Sequence, residues 1–217
     1  MTDTIHPRAA IFDLDGTLAD TFDLVISAYS TACEDYLGRK LTREEVISRF
    51  GPTEVGMLRK ELPAALHERA IAQFRQGYRD NHRRMVRVFE GIPQMLEALR
   101  ARKIPMGIMT GKGRDTADIT LAELGWTNLF ASVITGDESP KPKPAPDGIL
   151  MAARQMGVAP ANCIFVGDAP ADIQAGKASG ATTVWASWHP VYREQIQKPG
   201  PDMIAGSPAE VVALFNP

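Results

Sequence analysis

Apolar residues recur in this chain with two different spacings. Short, mostly apolar runs occupy Ala9 to Asp13, Pro105 to Thr110, Ser132 to Thr135, Cys163 to Gly167 and Thr182 to Ala186, and each predicts a buried strand. Helical spacing takes over between them, near Ile92 to Arg102, Arg114 to Leu124, Pro146 to Met156 and Ala171 to Ser179. Strand alternating with helix predicts a parallel sheet with crossover helices. Toward the end of the chain, a short strand at Met203 to Ile204 precedes a helix that Ser207 caps and Pro208 begins.

One stretch departs from this alternation. From Thr21 to Val88 the apolar positions keep helical spacing, as in Leu24, Ala28, Ala32 and again in Ile71, Phe74, Tyr78, and no buried strand interrupts them. Thr42 with Glu45 has the form of a capping box. The segment is therefore expected to be an all-helical insert, residues 21–88, within a core made of residues 1–20 and 89–217. At 217 residues the chain has room for an α/β core and such an insert.

Composition narrows the class of partner. Lys plus Arg total 24 and Asp plus Glu 26, a formal charge of −2, so no global basic field points to nucleic acid or an anionic membrane. No run of 18 apolar residues occurs, and Met1 to Arg8 lacks the apolar region of a secretion signal. The expectation is a cytoplasmic protein with a small partner. The two cysteines, Cys33 and Cys163, lack the spacing of a zinc site or a disulfide framework, and are expected to be buried thiols.

The candidate chemistry lies where strands end. Phe12-Asp13-Leu14-Asp15-Gly16-Thr17 places two carboxylates two residues apart at the end of the first strand. On an extended chain their Cα atoms are about 6.6 Å apart, at roughly 3.3 Å per residue, and the side chains lean to one side. A phosphoryl group fits between them, and Gly16 allows the tight reversal that brings backbone N–H groups near a phosphate oxygen. In open α/β sheets ligands bind outside the carboxyl ends of the strands. A surface turn explains the same residues if they are taken alone. A second acidic cluster, Gly167-Asp168-Ala169-Pro170-Ala171-Asp172, follows the strand at Cys163; helix capping alone would account for Asp172. Carboxylates converging on one crevice repel one another, which calls for a hard divalent cation, and Mg²⁺ suits an all-oxygen site. Thr110-Gly111-Lys112 ends another strand with a hydroxyl and a glycine. Lys141 and Lys143 lie in a loop stiffened by four prolines, although a solvated lysine pair is the ordinary content of such a loop.

These pieces, in this order, resemble the haloacid dehalogenase-like phosphohydrolase superfamily. The similarity runs from Ile11 to Gly180, and it is strongest to the branch with phosphoglycolate phosphatases, β-phosphoglucomutases and pyrophosphatase-like members. The resemblance implies an α/β fold, a Rossmann-like doubly wound parallel sheet with an inserted helical cap. It implies Asp13 as nucleophile and metal ligand, and Asp15 as general acid and base lending its backbone carbonyl to Mg²⁺. Thr110 and Lys143 would bind the transferring phosphoryl group, with Lys143 matching the family's lysine motif better than Lys141. Asp168 would ligate the metal, and Asp172 would support it. Gly16, Thr17, Gly111 and Lys112 would line the substrate site, and Phe50-Gly51-Pro52-Thr53-Glu54 is the candidate specificity loop of the cap.

The expected activity is Mg²⁺-dependent hydrolysis of a small phosphorylated metabolite, phosphoglycolate-like or a sugar phosphate, through a phospho-aspartate. Metal and lysine are expected to hold the Asp13 pKa down, so that it attacks ionised. A phosphomutase or pyrophosphatase on the same core is the alternative. A receiver-like signalling module, in which the phospho-aspartate is the output, is a distant one. Dehalogenation does not fit, because it requires no leaving-group acid such as Asp15.

Overall fold

The computed structural model describes residues 7–188 and 200–216; of the leading segment Met1 to Arg8, only Pro7 and Arg8 fall within these bounds. In chain order the elements are β1 (Ala9–Phe12), β2 (Ala19–Asp20), α1 (Phe22–Leu37), α2 (Arg43–Ile47), α3 (Glu54–Glu61), α4 (His67–Met85), β3 (Arg87–Val88), α5 (Ile92–Ala101) and β4 (Met106–Met109). They continue with α6 (Arg114–Glu123), β5 (Ser132–Ile134), α7 (Asp147–Gln155), β6 (Cys163–Gly167), α8 (Pro170–Ser179), β7 (Thr182–Ala186), β8 (Met203–Ala205) and α9 (Pro208–Ala213).

Six strands form one parallel sheet in the order β5-β4-β1-β6-β7-β8. All four residues of β1 are buried, as a central strand covered on both faces requires. Its side chains alternate between two cores. Ala10 and Phe12 pack with Ile92, Leu96 and Leu99 of α5, Leu121 of α6 and Val211 of α9. Ala9 and Ile11 pack with Ile149 and Ala152 of α7 and Ala175 of α8. A one-residue slip would exchange these faces, so the registers Phe12↔Ile108 and Phe12↔Val166 are set by packing on both sides.

The order of the strands also positions the site. From β1 the chain steps to β4 and then β5 on one side, and from β6 to β7 and β8 on the other. The direction reverses between β1 and β6, and in a doubly wound sheet the strand ends at this reversal diverge into a crevice. Asp13 and Asp168 stand at those two ends.

The segment between β2 and β3 is helical, as the spacing predicts, and has its own core. Leu24, Ala28 and Tyr29 of α1, Met57 and Leu58 of α3, and Ile71, Phe74 and Tyr78 of α4 pack together, and Ile119 of α6 joins them from the sheet domain. Thr42 and Glu45 form the expected capping box. The periodicity did not reveal the two-residue strands: β2 pairs antiparallel with β3, Ala19 opposite Val88 and Asp20 opposite Arg87. A ladder this short buries too little to leave an apolar signature. It ties together the two points where the helical segment joins the sheet domain. Cys33 and Cys163 are free and buried, and burial pushes both thiols up to about 11. Among the described residues, no helix is long and apolar enough to cross a membrane.

Candidate active site

Asp13 follows β1 directly, and its backbone N–H donates to the Val166 carbonyl at 2.9 Å, which carries the sheet ladder one residue past the strand. Lys143 comes from the loop before α7. Its ammonium lies 3.0 Å from Asp13 Oδ1 and 2.6 Å from Asp172 Oδ1. Lys141 is exposed, and its carbonyl accepts a hydrogen bond from Ser139 at 2.7 Å. Of the two lysines considered, Lys143 is the one that reaches the carboxylates.

Asp13, Asp168 and Asp172 each offer an oxygen, and these three oxygens lie within 4.8 Å of one another. All three residues are buried. Among the described residues one ammonium, that of Lys143, stands beside these three buried carboxylates, and every donor is a hard oxygen. This donor set fits Mg²⁺. Asp172 is differently placed from the other two. Besides Lys143 it accepts the Ala169 N–H at 2.9 Å on Oδ2, which closes the first turn of α8, so both its oxygens are engaged by protein groups. Asp168 is oriented by the Thr17 hydroxyl, which donates to Oδ1 at 2.9 Å.

The charge balance shows in the titration behaviour. Burial raises Asp13 to about 7, against the pull of Lys143 and with the help of Asp172 and Asp15. The expectation of a lowered Asp13 is therefore not met by the lysine alone, because desolvation outweighs a single ammonium shared with Asp172. Asp168 is also raised, by burial first and then by the Asp172 and Asp13 charges. Burial opposes the charge on Lys143, yet the Asp13 and Asp172 carboxylates overcome it and push the ammonium up.

Gly16 has φ +84°, the left-handed region. A methyl there would overlap Asp168 Oδ2 and lie 2.7 Å from its Cγ. The glycine thus serves the close approach of Asp168 to the turn. Thr17 is fully buried, and its hydroxyl is committed to Asp168; in the structure it orients a carboxylate. Thr110 and Gly111 line the cavity.

Asp15 lies outside the three-carboxylate cluster. Its Oδ1 accepts from the Thr21 hydroxyl at 2.6 Å and its Oδ2 from Lys112 at 3.0 Å. Lys112 was expected to line the substrate site, and it does border the cavity. Its ammonium, however, is fully enclosed, with Glu54 Oε1 at 3.1 Å and the Tyr78 ring centroid at 4.8 Å. Burial opposes its charge, but Asp15, Tyr78 and Glu54 push it well up. Glu54 also accepts from the Gly113 N–H at 2.8 Å and the Thr116 hydroxyl at 2.9 Å. The sequence reading placed Glu54 in a specificity loop and gave it no role as a buried ion. The available signal was local: Thr53 caps α3, which places the next side chain at the start of a packed helix.

A model of the haloacid dehalogenase-like hydrolase family matches residues 10–186, and the chain belongs to that family. A pyrophosphatase PpaX of Bacillus velezensis is 32% identical over 188 residues, covering 87% of this chain and 86% of the relative. A phosphoglycolate phosphatase of Xylella fastidiosa is 36% identical over 186 residues, covering 84% of this chain and 81% of the relative. The solved structure of a predicted phosphoglycolate phosphatase from Haemophilus somnus matches with a TM-score of 0.82 at 23% identity, over 97% of this chain and 99% of that one. CbbY from Rhodobacter sphaeroides, in complex with phosphate, matches at 0.81 and 21% identity, over 94% and 96%. At such identities the structural matches speak for the fold.

Proposed function

We propose that this chain is a Mg²⁺-dependent phosphatase that hydrolyses a small phosphorylated metabolite through a phospho-aspartate on Asp13, acting in the cytoplasm with neither nucleic acid nor membrane as partner. The observation that carries this reading is the meeting of Asp13, Asp168 and Asp172 around Lys143 at the reversal point of the sheet. The names of the curated relatives, a pyrophosphatase and a phosphoglycolate phosphatase, agree with phosphoryl transfer to water.

Asp13 and Asp168 would hold the cation, with the Asp15 carbonyl, while Asp172 supports the site through Lys143 or through water. When bound, Mg²⁺ supplies charge to the phosphoryl oxygens and favours ionised Asp13. An Asp13 oxygen attacks phosphorus, the P–O bond to the alcohol breaks, and the electron pair leaves with the alcohol oxygen. Asp15 gives that oxygen a proton. Water then attacks the phospho-aspartate, Asp15 takes its proton, and phosphate departs. Splitting the displacement in two lets one pocket serve alcohol and water in turn. Lys143 and the Thr110 hydroxyl steady the transferring group. The contacts to Thr21 and Lys112 fix the direction of the Asp15 carboxyl group, which this alternation of donor and acceptor requires.

Asp13→Asn is the test. It is expected to abolish orthophosphate release from a panel of phosphorylated metabolites and to abolish the acid-labile phosphoenzyme. Retained turnover removes the proposed nucleophile.

A further inference from the structure

Resting on the phosphatase reading above, we propose that the substrate is a phosphate monoester whose alcohol part is uncharged and largely apolar, and that Phe50 is a specificity-determining residue for it. The cavity over Asp13 holds about 220 Å³ between the sheet domain and the helical segment. Its floor is polar and consists of the residues already described. The helical segment contributes a mostly apolar wall, with Phe22 and Val25 of α1, Phe50 and Pro52 of the loop before α3 and Met57 of α3, and Glu54 as its charged residue. The Phe22 and Phe50 rings stack, with centroids 6.1 Å apart at 25°, and both residues line the cavity.

The charges on the lining point the same way. Among the described residues, the cavity is bordered by four carboxylates, Asp13, Asp15, Glu54 and Asp168, and by two ammonium groups, Lys112 and Lys143. Each ammonium already lies between two carboxylates. A bound divalent cation balances the lining, and the phosphoryl group then adds its own negative charge. Among the described lining residues, a second anionic group on the substrate, either the carboxylate of phosphoglycolate or the far phosphate of pyrophosphate, would find only ammonium groups already held between two carboxylates. A buried charge without a partner is strongly disfavoured, whereas an apolar group against this wall gains by leaving water. Ligand pockets of this kind fix orientation with a few polar groups and hold the remainder by apolar contact.

The test compares kcat/KM of the Mg²⁺-loaded protein for benzyl phosphate, glucose 6-phosphate, phosphoglycolate and pyrophosphate. The first three all expel an alkoxide, so differences among them report the wall rather than the leaving group. Benzyl phosphate is expected to exceed phosphoglycolate and pyrophosphate by at least about tenfold, the scale of apolar discrimination. Phe50 is half-buried, which leaves room for a longer side chain. Phe50→Arg is expected to shift the ratio toward phosphoglycolate by about tenfold or more, and Phe50→Leu to keep the original order.

Phosphoglycolate or pyrophosphate turned over as well as benzyl phosphate overturns the inference and leaves the phosphatase reading standing. An unchanged ratio in folded Phe50→Arg overturns the role of Phe50; if that variant does not fold, Phe50→Ala decides, expected to lower the benzyl phosphate to phosphoglycolate ratio by about tenfold, and an unchanged ratio there overturns that role. Release from none of the four also overturns the inference, and a phosphoenzyme formed from acetyl phosphate then shows whether the phosphatase reading survives.

Discussion

Lys112 offers the sharpest test of how the helical segment is joined to the site. In Lys112→Met the side chain keeps its apolar stem and loses the charge held between Asp15 and Glu54. Breaking a buried ion pair by removing one partner costs about 3–5 kcal/mol, since the remaining charge stays buried. Two details favour the lower end. Glu54 keeps its bonds from Gly113 and Thr116, and the Asp15 side chain, 22% exposed, reaches some solvent. A loss of about 3 kcal/mol is expected, or a fall in Tm of roughly 6–12 °C for a chain of this size. Urea unfolding followed by tryptophan fluorescence measures it. Adding Glu54→Gln to the same protein removes the stranded carboxylate but retains an acceptor. The double variant is thus expected to be no less stable than Lys112→Met alone, with a coupling of at least about 1 kcal/mol between the two positions. A stability change within about 0.5 kcal/mol, the range of ordinary surface substitutions, together with a raised KM, would refute this reasoning and return Lys112 to the role of a substrate ligand.

Two further expectations concern the metal site. Gly16→Ala forces a left-handed residue to carry a Cβ, at about 1–2 kcal/mol, and drives that Cβ into Asp168. Calorimetric titration should show Mg²⁺ affinity falling at least about tenfold, as for losses of ligand support generally; unchanged affinity sinks the placement of Asp168. Protonation gives the other test. Asp13 rises from its ordinary 3.8 to about 7 in the folded, metal-free protein, so the folded state binds the extra proton. That contribution to stability is fully present below about pH 4 and disappears as pH rises through about 7. Mg²⁺ binding must displace the same proton. The rise in Tm on adding Mg²⁺ should accordingly be larger at pH 8 than at pH 6, and an equal or smaller rise at pH 8 contradicts it.

The strand ends were legible because a buried parallel strand is apolar along its whole length, so a carboxylate at its end stands out against the pattern. Asp13 and Asp168 were visible in this way, as was Thr110 after Met109. Lys143 was preferred over Lys141 only through a family motif, since two lysines in one Pro-rich loop look alike from composition. The structure separates them by which ammonium touches Asp13. Lys112 borders the cavity whereas Thr17 is fully buried, and the polar atoms of both are spent on neighbours, Thr17 on Asp168 and Lys112 on Asp15 with Glu54. Residue type near a phosphate-binding turn does not distinguish a group that meets the ligand from one that aims a neighbour.

Periodicity along the chain therefore determined the α/β alternation, the helical character of the segment that interrupts it and the acidic strand ends, because each of these follows from local spacing and burial. It left open the order of the strands, the pairing of Lys112 with Glu54 across 58 positions, and the mostly apolar wall of the cavity. Those depend on which surfaces meet after the sheet reverses direction between β1 and β6 and the helices of residues 22–85 settle against α6. Contacts of that kind join residues with no spacing in common, so only the packed tertiary structure decides them.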